Sequence, residues 1–215
     1  MESKIFDLGL VDFASARRFQ QEIFQQVKDG ILKSALIICS HYPVITLGRN
    51  YKEQNIKVNL QKLKKMNIKV VKTERGGDVT YHGPGQLIAY PIFNLVYLKK
   101  DIHWYLRALE KLIIDVLAEF GIFARRIPRL TGVWVKEDKI ASIGIAIKNW
   151  VTFHGLAINV KEDDLFNFSL IRPCGMDIIM TSVESVLKKR VSIDEVKLVL
   201  TRRWQDDQGN LTRIG

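Results

Sequence analysis

The sequence predicts an α+β fold. Three observations carry that prediction: helix-periodic segments near residues 12–30, 101–121 and 192–204, strand-like runs grouped between them, and no strict alternation of strand and helix. Asp12 is placed to cap the first helix, whose Phe19, Ile23 and Val27 recur every fourth residue until Gly30 stops it. Asp101 caps the second, which carries an apolar stripe from Ile102 through Leu109 and Ile113 to Phe120 and ends at Gly121. Ser192 and Glu195 have the spacing of a capping box ahead of Val196, Leu200 and Trp204. From Gln205 the sequence turns polar, so one domain spanning 1–215 with a flexible tail at 205–215 is expected. The strand signals are SALIICSH (34–41), VITLGR (44–49), IKVVKTE (68–74), QLIAYPIF (86–93) and the stretch 132–160. Within that stretch Ile143, Ile145 and Ile147 alternate with Ser142, Gly144 and Ala146, giving one bulky face and one small face that something approaches closely. The apolar phase slips by one at His154-Gly155, as a β-bulge would make it do.

Composition narrows the class. Of 215 residues, 47% are hydrophobic, 26% are charged and only 5 are proline, which excludes disordered and collagen-like chains and allows a substantial core. No apolar run approaches the ~20 residues that span a bilayer, and MESKIFDLGL lacks a basic region followed by an apolar one. A soluble cytoplasmic protein is expected. The two cysteines, Cys39 and Cys174, lie far apart with no CxxC or Cys/His cluster, so they read as free thiols rather than a disulfide or zinc framework. The formal net charge of +10 calls for an explanation.

The segment RGGDVTYHGPGQ (75–86) holds four glycines with Arg75, Asp78 and His82 between two strand-like runs. Glycines let a backbone approach a ligand, and Arg75 and His82 add donors, so a loop for an acyl, phosphate or carboxylate group competes with a long turn as its reading. Neither GxxxxGK[ST] nor GxGxxG is present, so nucleotide binding has no direct support. Cys39 sits in an apolar run and reads as core. Cys174, between Pro173 and Gly175, sits in a poor context for a core thiol, and a nucleophile on a tight turn stands beside the structural reading. His82 and His154 are its candidate bases, while His41 and His103 read as structural or surface residues. Lys139, closing the KEDK turn, reads locally as a solvated charge.

Three segments together, RGGDVTYHGPGQLIAYPI (75–92), GVWVKEDKIASIGIAIKNWVTFHGLAINV (132–160) and IRPCGM (171–176), resemble the lipoyl(octanoyl) transferases of lipoate biosynthesis. The likeness runs from HYPVITLGR (41–49) to about residue 190. It implies a biotin/lipoate protein ligase-like catalytic domain of mixed and antiparallel sheets with packed helices, and an acyltransferase. That enzyme would take octanoate from octanoyl-acyl carrier protein through a thioester on Cys174, assisted by Lys139, and deliver it to the acceptor lysine of lipoyl domains of 2-oxoacid dehydrogenase E2 subunits and glycine cleavage H protein. Substrate-binding positions implied by the family are Arg75, Gly76, Gly77, Asp78, Val79, Thr80, Tyr81, His82, Ser142, Ile143, Gly144, Gly155, Leu156 and Ala157, without a role for the Asp78 side chain. No metal, cofactor, nucleic acid or membrane is implied, and a monomer is expected. Backbone N–H groups near Gly175 or in the glycine segments would serve the oxyanion. The small face of residues 142–146 would become an octanoyl groove, and the +10 charge would become docking for acidic carrier and lipoyl domains. Rival readings are an octanoyl amidotransferase between lipoyl domains, an ATP-dependent lipoate ligase and, outside enzymes, a basic nucleic-acid-binding module.

Overall fold

Ten strands and five α-helices make up residues 2–211, the part of the chain that this computed structural model describes, the side chains of Cys174 and of 207–211 excepted. The strands are β1 (Glu2–Val11), β2 (Leu32–His41), β3 (Val44–Leu47), β4 (Lys69–Lys72), β5 (Val79–His82), β6 (Gln86–Phe93), β7 (Arg125–Ile127), β8 (Leu130–Val135), β9 (Asp138–Lys148) and β10 (Val151–Asn159). The helices are α1 (Phe13–Lys28), α2 (Leu60–Lys65), α3 (Ile102–Ala118), α4 (Val183–Leu187) and α5 (Ile193–Leu211). Seven strands form a mixed sheet in the order β1-β2-β6-β10-β9-β8-β7, and β4-β3-β5 form a smaller one. Only the β1–β2 and β3–β4 pairs are parallel. The α+β class with mixed and antiparallel sheets is what the sequence predicts.

The predicted caps form. Asp12 accepts the N–H of Ser15 at 3.1 Å, Asp101 that of Trp104 at 3.0 Å, and Ser192 and Glu195 bond reciprocally at 3.1 and 2.6 Å. Helix α5 runs past Gln205, where the polar sequence predicts a tail, to Leu211; residues 212–215 lie outside the described residues. On β2 and β6 alternate side chains go to opposite layers. Leu36, Ile38, Leu87 and Ala89 pack under α3 and α5, while Ala35, Ile37, Cys39, Ile88 and Tyr90 pack under α1. Covering both faces explains why these strands read as unbroken apolar runs. Cys39 is core as expected, and burial pushes its thiol well above the ordinary range.

Strand β9 divides as its alternation predicts, since Ile143, Ile145 and Ile147 join the α3–α5 core. The expected bulge does not form. Register between β9 and β10 is continuous from Val151↔Lys148 to Ile158↔Ala141. The phase slip comes instead from His154, whose φ of 56° lies in the left-handed region, beside the stretch of β6 where Pro91 has no N–H to give. The His154 N–H turns to the side-chain Oε1 of Gln20 on α1 at 3.0 Å, and Thr152 Oγ1 bridges to the backbone of Pro91 and Phe93.

Candidate active site

The loop after β4 is built onto β3. Arg49 N–H donates to the Arg75 carbonyl at 2.9 Å, Gly48 N–H to Asp78 at 3.1 Å and Asn50 N–H to Gly77 at 3.1 Å. Gly48 must lack a side chain, because a Cβ there would stand 2.7 Å from Arg75 Nη1 and would collide with the Gly77 carbonyl. Arg75 braces the loop rather than presenting free donors: Nε donates to Thr46 Oγ1 at 3.0 Å, Nη2 to the Thr46 carbonyl at 2.6 Å and Nη1 to the Gly76 carbonyl at 3.0 Å. On its other side Gly76 N–H donates to Ile145 O at 2.8 Å, so the loop lies against β9 at its small face.

Between loop and strands runs a narrow cleft of about 50 Å³, partly open to solvent. It brings together every sequence-predicted binding position except Tyr81. Arg75, Gly76, Gly77, Asp78, Val79, Thr80 and His82 form one side, with Ser142, Ile143 and Gly144 from β9 and Gly155, Leu156 and Ala157 from β10. Tyr81 points to the opposite face of β5, packs edge-on against Phe168 and donates its hydroxyl to Asp164 at 2.9 Å. Asp164 also accounts for two of the loop's four glycines. It accepts the N–H of Gly85 at 2.8 Å, and a Cβ on Gly83 would collide with its carboxylate. Gly83 and Gly85 therefore serve the turn, and only Gly76 and Gly77 serve the cleft. Phe13, Ile88, Tyr90 and His154 complete the lining. Phe13, Ile88 and Tyr90 carry no local signal, because they read as ordinary core in their own segments.

Lys139 overturns its local reading as a solvated charge: it is 1% exposed. Its Nζ lies 5.3 Å from the centre of the Trp134 ring on the paired strand β8. Gly132 makes the room, since a Cβ there would stand 2.5 Å from Lys139 Cε and 3.1 Å from Nζ. The N–H of Gly132 is held by the fully buried Glu110 at 3.2 Å, which Arg107 and Arg126 balance in charge. Burying a lysine is costly, which makes Lys139 a candidate functional residue; it lies on β9 three residues before Ser142, the first residue of that strand to line the cleft.

Cys174 sits in a 3₁₀ turn, Pro173–Gly175, closed by Gly175 N–H to Arg172 O at 3.0 Å and Met176 N–H to Pro173 O at 3.1 Å. Those two N–H groups are committed within the turn, as those of Gly76 and Gly85 in the glycine loop are to Ile145 O and Asp164. The Cys174 side chain itself lies outside the described residues. Asp78, to which the sequence assigns no role, shapes this turn. Its Oδ2 accepts Asn55 Nδ2 at 2.5 Å, Asn55 O accepts the N–H of Arg172 at 2.7 Å, and a Cβ on Gly175 (φ 70°) would lie 2.9 Å from Asp78 Oδ2. Downstream the same segment is stitched to Lys139 itself, by Lys139 N–H to Ile179 O and Thr181 N–H to Lys139 O, both 2.9 Å.

The two candidate bases, His82 and His154, both line the cleft. His154 pairs with Ile145, six residues along β9 from Lys139, roughly 20 Å at strand spacing, so it lies at the far end of the cleft. His82 Nδ1 meets Gln86 Oε1 at 3.1 Å; because the Gln86 amide donates to Asn159 and Tyr81, Oε1 accepts and the His82 proton is on Nδ1. His41 is fully buried, with Nε2 2.6 Å from the Tyr90 hydroxyl. Burial lowers all three: His41 below its ordinary value, His82 well below it, and His154 to about 4. They are neutral when folded, whereas the unfolded chain takes up protons below about pH 6.5. Their contribution is thus complete above pH 6.5 and drains as pH falls towards 4, with His154 alone accounting for about 2 kcal/mol between pH 7 and 5. Urea unfolding at the two pH values measures this. The His154→Gln protein shows the shallower dependence, and equal slopes would contradict the assignment.

Residues 12–205 match the Lipoyl protein ligase A/B catalytic domain family. An octanoyltransferase of Solibacter usitatus is 47% identical over 197 residues, covering 92% of this chain and 89% of that protein. Another from Pelobacter propionicus is 42% identical and covers 93% and 92%. This chain belongs to the octanoyltransferase family. It is an acyltransferase of the lipoyl ligase A/B type. Its fold is shared by lipoate-protein ligase A bound with ATP, at TM-score 0.80 and 20% identity over 97% of this chain and 86% of that one. A bi-partite lipoate protein ligase from Thermoplasma acidophilum, described with its E2 lipoyl domain, gives 0.76 at 19% identity over 97% and 84%. Biotin protein ligase from Aquifex aeolicus gives 0.56 at 12% over 98% and 71%. Among the described residues no helix is long and apolar enough to cross a membrane.

Proposed function

We propose that this enzyme takes an octanoyl group from octanoyl-acyl carrier protein, holds it as a thioester on Cys174, and passes it to the acceptor lysine of a lipoyl domain, in the cytoplasm, as a monomer and without metal or nucleotide. The observation that carries the reading is the buried Lys139, bonded through its backbone to the segment that bears Cys174 and placed on β9 three residues before Ser142, where that strand begins to line a cleft with a side-chain-poor wall. A free thiol with pKa ~8.5 is only about 3% thiolate at pH 7, and a lysine amine is ordinarily the stronger base by about 2 units. A proton can therefore pass from sulfur to nitrogen. The thiolate adds to the thioester carbonyl, the carbon–sulfur bond to the carrier breaks, and the departing sulfur takes the proton from the Lys139 ammonium. In the second half the acceptor amine adds to the Cys174 thioester, Lys139 takes the amine proton, and the cysteine sulfur leaves. Both halves use one proton carrier and consume no external reagent.

The small face of β9 gives the alkyl chain somewhere to lie, at about 0.8 kcal/mol per buried methylene. The +10 charge suits two successive acidic partners, and Lys57 and Arg172 stand close to the Cys174 turn. The deciding experiment mixes the protein with octanoyl carrier protein in the absence of ATP and measures the mass of the peptide containing Cys174. That peptide gains one octanoyl group, and Cys174→Ser abolishes both the adduct and transfer to a lipoyl domain. Adenylate formed from free octanoate would instead identify a ligase, and acylation only from an octanoylated lipoyl domain would identify an amidotransferase.

A further inference from the structure

A second, larger cavity of about 300 Å³, partly open to solvent, lies beyond the acyl cleft, lined by Arg17 and Gln20 of α1, Arg49, Glu74 and the far ends of β9 and β10. Among the described residues, His154 alone lines both spaces. Its ring is 3% exposed and its Nε2 is 3.5 Å from Glu74 Oε2, while Glu74 is ion-paired to Arg17. Glu74 faces the large cavity, whereas Arg75 next to it faces the cleft. Gln20 Nε2, Glu74 Oε2 and His154 Nε2 are buried without a hydrogen-bond partner among the described residues, so the partition is polar as well as solid.

The length of the cleft matches a chain. Its β9 wall begins at Ser142, and Ile145, which pairs with His154, is three residues on, about 10 Å at strand spacing. An extended chain advances about 1.2 Å per bond, as the polypeptide backbone does, so seven bonds of an octanoyl group cover on the order of 9 Å.

We propose that His154, seated by Glu74 and Gln20, is the end wall that sets acyl-chain length, and that the cavity behind it is a blocked extension of the acyl site. This rests on the octanoyl reading above. A chain two or four carbons longer would have to displace the ring and press methylenes against buried polar atoms, which is unfavourable. The backbone supports the same assignment: at φ 56° glycine would sit with less strain, and histidine is held there with its side chain closing the passage.

The test follows from that strain. His154→Gly suits the left-handed backbone and removes the wall. Wild type and variant are compared on C6 to C14 acyl carrier thioesters, reading kcat/KM for each length. The ratio of C12 to C8 rises at least tenfold in His154→Gly, mostly through KM, and rises less in Glu74→Ala, which leaves the ring in place but unbraced. His154→Phe keeps the wild-type ratio. If His154→Gly keeps the wild-type ratio while wild type transfers C8, His154 is not the wall and the proposal falls. If wild type forms no acyl adduct from any donor, it is the octanoyl reading that fails. Circular dichroism of each variant separates loss of fold from loss of selectivity, and a misfolded His154→Gly protein would itself refute the argument from backbone strain.

Discussion

Replacing Lys139 with methionine lowers the turnover of octanoyl transfer by about 10²- to 10⁴-fold, the range for loss of a positioned acid–base group. Methionine has nearly the same reach, lies as readily over the Trp134 ring and fills the space that Gly132 leaves, so the sheet is preserved and Tm changes little. Two signatures separate lost chemistry from lost packing. KM for the donor stays close to wild type, and the residual rate climbs with pH towards the ordinary thiol pKa, because thiolate then forms only by solution titration. A Lys139→Met enzyme within a few-fold of wild type at pH 7 would remove lysine from the mechanism.

The second large effect is expected at Gly144. A Cβ there would meet Arg75 Cδ at 3.1 Å and Gly76 O at 3.3 Å, and the branches of valine reach further. Arg75 cannot step aside, because its guanidinium is tied to Thr46 and Gly76. Gly144→Val therefore closes the cleft at mid-length. Losing contact with about four methylenes removes roughly 3 kcal/mol, or about 10²-fold in kcat/KM for octanoyl donors. Butyryl donors lose much less. Octanoyl transfer at the wild-type rate by Gly144→Val would show that the chain lies elsewhere.

What the sequence reveals divides by range. Asp12, Asp101 and the Ser192–Glu195 box act within one turn of their own helices, so the helix starts are legible without any fold. The alternation in β9 is legible for the same reason. Strand β1 is missed because its half-exposed, charge-bearing sequence lacks clean alternation and pairs only through β2, and β5 is hidden among glycines that read as one loop. Lys139 is misread locally because its burial is made by Gly132 and Trp134 from the neighbouring strand. Gly83 and Gly85 are attributed to ligand approach because the carboxylate that demands them belongs to Asp164, far along the chain. The positions that the family resemblance implies come together along one cleft, Tyr81 excepted; composition and spacing alone leave the loop's purpose open.

The way the reacting groups are mounted has a further implication. Lys139 belongs to the seven-stranded sheet, whereas the turn bearing Cys174 is shaped by Asp78 and Asn55, which lie at the end of the three-stranded sheet. Strands β3 to β5 thus carry the seat of Cys174, the proposed nucleophile, and most of one cleft wall, and β9 and β10 carry Lys139, the proposed base, and the opposite wall. In the proposed mechanism the distance between sulfur and amine is then a property of how two sheets are docked, and the small sheet in turn rests on a core of its own that includes Phe168 and Leu170. A change in the apolar packing beneath β3 and β5 would therefore be felt at the reacting groups without altering either of them.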